Sequence, residues 1–289
     1  MVNLALSWQQ SAAAAAGLAA SAWGLLRASR AAVGRPRRAG RLAAAAGFVR
    51  EAALVLALFG LWQFAGSFSV MGTGGAVGRA RWLWHAERVL RLPSEAALQR
   101  MILPHPLVVQ VFDLYYDILH FPVLIACLIW LFVRHRERYG SLRVTLVAFT
   151  AISLLIQLIP VAPPRLLPGI GMVDTAAAYG QSVYATGFDA DQLSAMPSVH
   201  VGWAILIAIA VIGASSSRWR WLVVAYPVLT TIAVAVTANH FWLDGIAAAA
   251  ILGVVLAAQA AARRLCDARA RIEPPASQPA EAMTSVGGG

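Results

Sequence analysis

The chain contains no lysine: all 23 of its basic residues are arginine, set against 13 acidic ones. Charge of either sign is scarce, at 12% of 289 residues, where a soluble domain carries about 25%. That excludes an ordinary soluble fold. Cysteine is nearly missing as well. Cys127 and Cys266 stand far apart in the chain, which excludes both a disulfide framework and a cysteine-built zinc site. No repeat of solenoid type is present. What fills the chain instead is apolar: 60% of the residues are hydrophobic and the mean hydropathy is +0.68. The net charge of +10 does not mark a nucleic-acid binder, because the arginines flank apolar segments rather than gathering on one basic face.

A helix crossing the hydrocarbon core needs roughly 20 apolar residues. Six segments fit, near 50–70, 106–133, 144–160, 198–213, 221–238 and 241–262. Those at 144–160 and 198–213 are short, so their ends are expected to run into the flanking loops. An Ala-rich stretch at 4–26, diluted by Ser7, Gln9, Gln10 and Ser11, is a weaker candidate for a seventh span. It lacks the positively charged start of a secretory signal. The expected fold is an all-α polytopic membrane bundle with a six-span core and this one candidate extra N-terminal span. Three regions follow: an Ala-rich segment and Arg-rich connection at 1–49, the membrane domain at 50–262, and a tail at 263–289. From Glu273 onward the tail is rich in Pro, Ala, Ser and Gly and reads as disordered. Residues 79–92 mix Arg79, Arg81, Arg88 and Arg91 with Trp82 and Trp84, which suits a helix lying in the headgroup plane.

Arginine placement sets the expected orientation. Arg27 to Arg50, Arg134 to Arg143, Arg218 with Arg220, and Arg263 to Arg271 all fall in connections on one side, which the positive-inside rule makes cytoplasmic. Glu51 lies near that face and reads as interfacial.

Two short motifs open helices on the opposite, outer side: Met196-Pro197-Ser198-Val199-His200 and His240-Phe241-Trp242-Leu243-Asp244. Ionisable groups in membrane segments are expensive beside lipid and mark functional sites. His240 and Asp244 are four residues apart and share one helix face. A carboxylate bonded to one imidazole nitrogen leaves the other basic and aimed outward, as nucleophilic catalysis by histidine requires. Pro160-Val161-Ala162-Pro163-Pro164-Arg165 ends another span on the same side. Prolines stop the helix there and place Arg165 on a rigid turn. Arg165, Ser198, His200, His240 and Asp244 thus converge on one outer pocket. Arginine offers two-pronged bonds to phosphate oxygens, and the free amides of a helix start attract an anion. The constellation reads as a phosphoryl-transfer site. Asp113, Asp117 and His120 share one face of the 106–133 segment and read as the polar wall of a substrate cavity, with a structural network as the competing role. Asp174, Asp189 and Asp191, in the loop 161–197, read as solvated.

On these residues the chain resembles the type 2 phosphatidic acid phosphatase superfamily of membrane lipid phosphatases. The signature of that superfamily runs K-x6-R-P, then P-S-x-H, then S-R-x5-H-x3-D. Pro197-Ser198-Val199-His200 matches the second block, and His240 with Asp244 matches the end of the third. Leu158 stands at the Lys position, Leu166 follows Arg165, and Ala233-Val234 replaces Ser-Arg. These departures, with the run from Phe112 to Pro122 and Gly171-Met172-Val173-Asp174-Thr175, look like the branch holding inositol phosphotransferases such as the fungal inositol phosphorylceramide synthases. The resemblance covers roughly residues 50–262.

It implies that His240 attacks phosphorus and forms a phosphohistidine while Asp244 orients the ring. His200 protonates the leaving alkoxide and then serves as base toward the acceptor. Arg165 and Ser198 hold phosphoryl oxygens. No metal and no cofactor are implied. The implied partners are a membrane lipid and either water or a small alcohol such as inositol, with oligomeric state open. A transporter reading is disfavoured because paired Gly/Pro-broken spans and inverted halves are missing. The competing reading is a catalytically inactive relative that serves as a membrane scaffold or lipid-binding protein.

Overall fold

The computed structural model describes residues 7–32, 34–69, 75–181 and 192–272. Asp189, Asp191 and the tail from Glu273 lie outside the described residues. The order is α1 (Trp8–Ala31), α2 (Pro36–Ser69), α3 (Ala76–Val89), α4 (Glu95–Ile102), α5 (Pro106–Ile118), α6 (His120–Arg134), α7 (Arg136–Gln157), the single turn α8 (Thr175–Ala178), α9 (Val199–Ala214), α10 (Ala225–Val236) and α11 (Trp242–Ile272). No strand occurs among the described residues. The all-α bundle expected from the hydrophobic pattern is the observed fold.

Four stretches among the described residues are long and apolar enough to cross a membrane: Pro36–Leu61, Arg136–Gln157, Arg218–Val236 and Trp242–Ala268. The segment expected as one span at 106–133 is a pair of helices, Pro106–Ile118 and His120–Arg134, bent by 48°. Pro122 is the cause. It has no N–H for the carbonyl of Ile118, and its ring crowds that carbonyl, so α5 stops at Ile118. The 144–160 segment does extend backward, to Arg136. The 198–213 segment does not grow: α9 keeps 16 residues because Ser198 caps its start. The N-terminal stretch forms the 24-residue α1, opened by a Ser7–Gln10 capping box and packed along α2. It is not among the stretches apolar enough to span.

The main core lies among α6, α7, α9 and α11, where Leu128, Leu131, Phe149, Trp203, Leu206 and Leu252 are buried. A second core joins α3 to the connecting loops through Ala80, Leu83, Val161, Leu167 and Phe241. Outward faces stay apolar, with Leu107, Val111, Val133 and Val254 exposed, as a bundle solvated by lipid requires. At the end away from the histidines, Glu51 is buried rather than interfacial. Arg143 and Tyr139 donate to its carboxylate, and Arg50 pairs with it at 3.2 Å.

The α7–α9 contact depends on one glycine. A Cβ on Gly202 would lie 2.0 Å from Cζ of Phe149, a ring that is itself wholly buried. Overpacking of this kind costs about 1–3 kcal/mol. Gly202→Ala is expected to lower the unfolding temperature of the purified protein by several degrees, and a second change, Phe149→Leu, to restore part of it. Equal melting of Gly202→Ala and the native chain would refute the contact.

Candidate active site

His240 sits on a tight turn between α10 and α11. Ala238 there adopts the left-handed region at φ 57°, uncommon for a residue with a Cβ. The amides of Asn239 and His240 both donate to the Val234 carbonyl, at 3.0 and 3.1 Å. The turn thereby presents the imidazole just before α11 begins. Its Nδ1 lies 2.7 Å from the Ala195 carbonyl oxygen and 3.4 Å from Asp244 Oδ2. A carbonyl can only accept, so Nδ1 carries the proton and Nε2 keeps a lone pair. The expected orienting carboxylate is present, but a backbone carbonyl is the nearer partner. Asp244 is fully buried behind the ring rather than lining a pocket. Its Oδ2 also accepts the Phe241 N–H at 2.9 Å, and its own carbonyl accepts the Ser198 N–H at 3.0 Å. That last bond ties the start of α9 to the first turn of α11.

His200 is the second residue of α9, behind the Ser198 cap. Its ring centroid lies 5.8 Å from that of His240 and 4.6 Å from that of Tyr116. A third histidine joins them: His120 is 4.7 Å from His200. Nδ1 of His120 is 3.1 Å from the Tyr116 carbonyl, which by the same logic leaves Nε2 as an acceptor. That Nε2 and Nδ1 of His200 are both buried and unbonded. The break at Ile118 turns α6 inward and so brings His120 to the cluster. Among the described residues, no group of three or more His, Cys, Asp or Glu is arranged to hold a metal ion.

Arg165 lies on the 3-10 turn Pro164–Leu166, pinned by its own N–H to the Ala238 carbonyl at 3.0 Å. Its guanidinium bonds Asn239 Oδ1, and its Nε is 3.5 Å from Asp174 Oδ2. It therefore lies beside the residue preceding His240. Asp174, expected to be solvated, keeps 30% of its side chain exposed but is also an ion-pair partner and the cap of α8. Ser198 is wholly buried and its Oγ accepts the Val201 N–H at 3.4 Å, so its O–H proton stays available to donate. Asp113 is buried and accepts from Thr175 Oγ1 at 2.8 Å, while its Oδ2 has no bond. Asp117 is within electrostatic reach of Arg165 and Asp113. Arg165, Ser198, His200, His240, Asp244, Asp113, Asp117 and His120 thus fall near the histidine end of the bundle. Leu158 is half exposed, and Ala233 and Val234 are packed inside, so no cation can substitute for the signature's Lys and Arg at those positions.

Two glutamates that the sequence analysis did not single out complete the surroundings. Glu87 and Glu95 are buried, and Glu87 Oε1 accepts the Leu243 N–H of α11 at 2.8 Å. The amphipathic pattern of 79–92 is the signal that could have found Glu87, since it falls on the same helix face as Leu83. Burial, then the hydrogen bond to Glu95, push the Glu87 carboxyl up to about 9 from 4.5. A carboxyl with a higher pKa folded than unfolded stays protonated in the fold while the unfolded chain ionises. Stability is then lost as pH climbs from 4.5 toward 9. Glu87→Gln keeps the acceptor for Leu243 and cannot ionise. Its thermal stability relative to the native chain is expected to rise steadily from pH 5 to pH 8.5. A pH-independent difference would mean that Glu87 titrates normally.

A family model for the PAP2 superfamily matches residues 81–258, more than half of the chain. Neither a curated protein nor a solved structure matches it. The matched region runs from α3 to α11 and includes every histidine-cluster residue described above. With that match and the Pro197-Ser198-Val199-His200 and His240-x3-Asp244 elements in place, the chain belongs to the PAP2 superfamily, the type 2 phosphatidic acid phosphatases and their relatives, and has a lipid phosphatase- or phosphotransferase-type function.

Proposed function

We propose that this membrane protein transfers a phosphoryl or phospho-headgroup from a lipid at the outer membrane face, through a phosphohistidine on His240, to water or to a small alcohol. The observation that carries the reading is the bond from His240 Nδ1 to the Ala195 carbonyl at 2.7 Å. It leaves Nε2 as the nucleophilic lone pair, in a ring whose centroid is 5.8 Å from that of His200.

In the first step Nε2 of His240 attacks phosphorus, the P–O bond to the lipid alkoxide breaks, and His200 gives that oxygen a proton. In the second step His200 takes a proton from the acceptor, whose oxygen attacks phosphorus. The P–N bond breaks and its electron pair returns to His240. Charge on the transferring oxygens is met by Arg165, the Ser198 hydroxyl and the amides opening α9. General acid–base help of this kind is worth about 10²–10⁴-fold. No step needs a metal ion.

The acceptor reading follows the branch resemblance. Its two segments, the run from Phe112 to Pro122 and the run from Gly171 to Thr175, meet through the Thr175–Asp113 bond. Asp113 keeps a free oxygen, and Asp117 and His120 extend the same face. Such acceptors suit the hydroxyls of a polyol headgroup of inositol type.

Two experiments bear on this. With a radiolabelled lipid phosphate as donor, His240→Ala is expected to abolish trapped phospho-enzyme, whereas His200→Ala retains labelling with a good leaving group and turns over at least about a hundredfold more slowly. Labelling that survives in His240→Ala refutes the nucleophile. Sidedness is read in a Cys266→Ser background: Tyr179→Cys is expected to react with an impermeant thiol reagent added to intact cells, and Glu137→Cys only after lysis. The reverse pattern would place the histidines on the cytoplasmic face.

A further inference from the structure

A second feature lies at the far end of the bundle, unconnected with the histidines. Rising roughly 1.5 Å per residue, α11 carries Gln259 about 22 Å from Asp244, most of the way across a hydrocarbon core of roughly 30 Å. There α6, α7, α9 and α11 line an open groove with a volume of about 780 Å³, within the usual range of ligand sites. Leu131, Leu206, Ile209 and Leu256 form its apolar walls. Ser141, Thr145 and Gln259 form a polar base, and Arg138 and Arg263 stand over it with one opposing carboxylate, Glu137.

The base is built rather than incidental. Gln259 Oε1 accepts from Ser141 Oγ at 3.0 Å, Thr145 Oγ1 at 3.1 Å and Arg263 Nη2 at 3.2 Å. Gln259 Nε2 donates to the Ser141 carbonyl at 3.2 Å. Arg263 also donates to Ser141 Oγ, so its guanidinium is held at the mouth. Arg138 comes from the other side, with Nη1 3.1 Å from where a Cβ on Gly213 would stand. Among the described residues the guanidinium of Arg138 has no hydrogen bond or ion pair, its backbone N–H alone being bonded, to the His135 carbonyl. The two cations exceed Glu137 by one charge. Val144 and Ile209 line the cavity and are also exposed, so apolar side chains border its opening.

We propose that this groove binds the phosphate headgroup of an anionic phospholipid in the leaflet opposite the histidines, with the phosphate between Arg138 and Arg263 and the upper acyl carbons against Leu206, Ile209 and Leu256. Basic pockets between spanning helices on the cytoplasmic side attract such headgroups. A bound lipid bridges α7 to α11, the helix whose first turn carries Asp244. The site stands apart from the catalytic reading and survives its failure.

The test uses the full-length protein in neutral detergent, with thermal unfolding and native mass spectrometry as readouts that need no turnover. Phosphatidylglycerol is expected to raise the unfolding temperature and to remain bound, while phosphatidylcholine and inorganic phosphate do neither. Arg138→Gln with Arg263→Gln should weaken phosphatidylglycerol binding at least about tenfold, since each arginine near an anionic headgroup contributes about one power-of-ten or somewhat less. Arg264→Gln, which does not line the cavity, should bind as the native chain does. If the double variant fails to fold, Arg138→Gln alone decides, because that guanidinium bonds nothing among the described residues. Equal stabilisation by phosphatidylcholine, an equal effect of inorganic phosphate, or undiminished phosphatidylglycerol binding by the arginine variants would each overturn the proposal.

Discussion

The carbonyl of Ala195 and the imidazole of His240 come from segments 45 residues apart and meet at 2.7 Å, and the histidine end of the bundle is organised around keeping them there. The described residues around Ala195, 192–198, form no helix and pair only in a single bridge between Ser194 and Val161. They are held instead by Gln157 at the end of α7, whose Nε2 donates to the carbonyls of Pro197 and Ser194 at 3.1 and 3.3 Å. Val161 pairs with them through bonds to Leu193 and Ala195. Ser198 closes the loop onto Asp244. Three helices therefore share one hydrogen-bonded loop. Each buried bond contributes only about 1 kcal/mol net, but leaving a partner unmet costs about 1–3 kcal/mol, so the pieces hold one geometry or lose several bonds together.

Surrounding lipid makes that constraint stricter. With no water available in the hydrocarbon, polar groups must find partners inside the protein. At the far end of the bundle Glu51 meets Arg143 and Tyr139. Near the histidines, Glu87 stays protonated and caps an amide of α11. At that same end, ring nitrogens of His120 and His200 and one carboxyl oxygen each of Glu87, Glu95, Asp113 and Asp244 are buried without a bond. Their clustering at one end is what a site awaiting a polar substrate would show.

Much of this was legible in the residues. Hydropathy alone located the apolar segments, and the prolines from Pro160 to Pro164 with the Ser198 cap correctly ended and began helices. The four-residue spacing of His240 and Asp244 anticipated their approach, at 3.4 Å, although His240 stands on the turn before α11 and not on its face. Three things were hidden. A backbone carbonyl such as that of Ala195 carries no sequence signature, so the nearer partner of His240 could not be read. The break before His120 depends on Pro122, which was visible, yet its consequence for a third clustered histidine needs the 48° bend. Asp174 read as a solvated charge and Glu87 was not singled out, because only the fold brings their partners, Arg165 and Leu243, to them.

The central claim is that the fold assigns the proton of His240 to Nδ1 and the attacking lone pair to Nε2. Phosphorus-31 NMR of the trapped phospho-enzyme, with nitrogen-15 in the histidine rings, measures this directly. The account predicts phosphorus coupled to Nε2 of His240. Phosphorus on Nδ1, on His200 or on a carboxylate would contradict it.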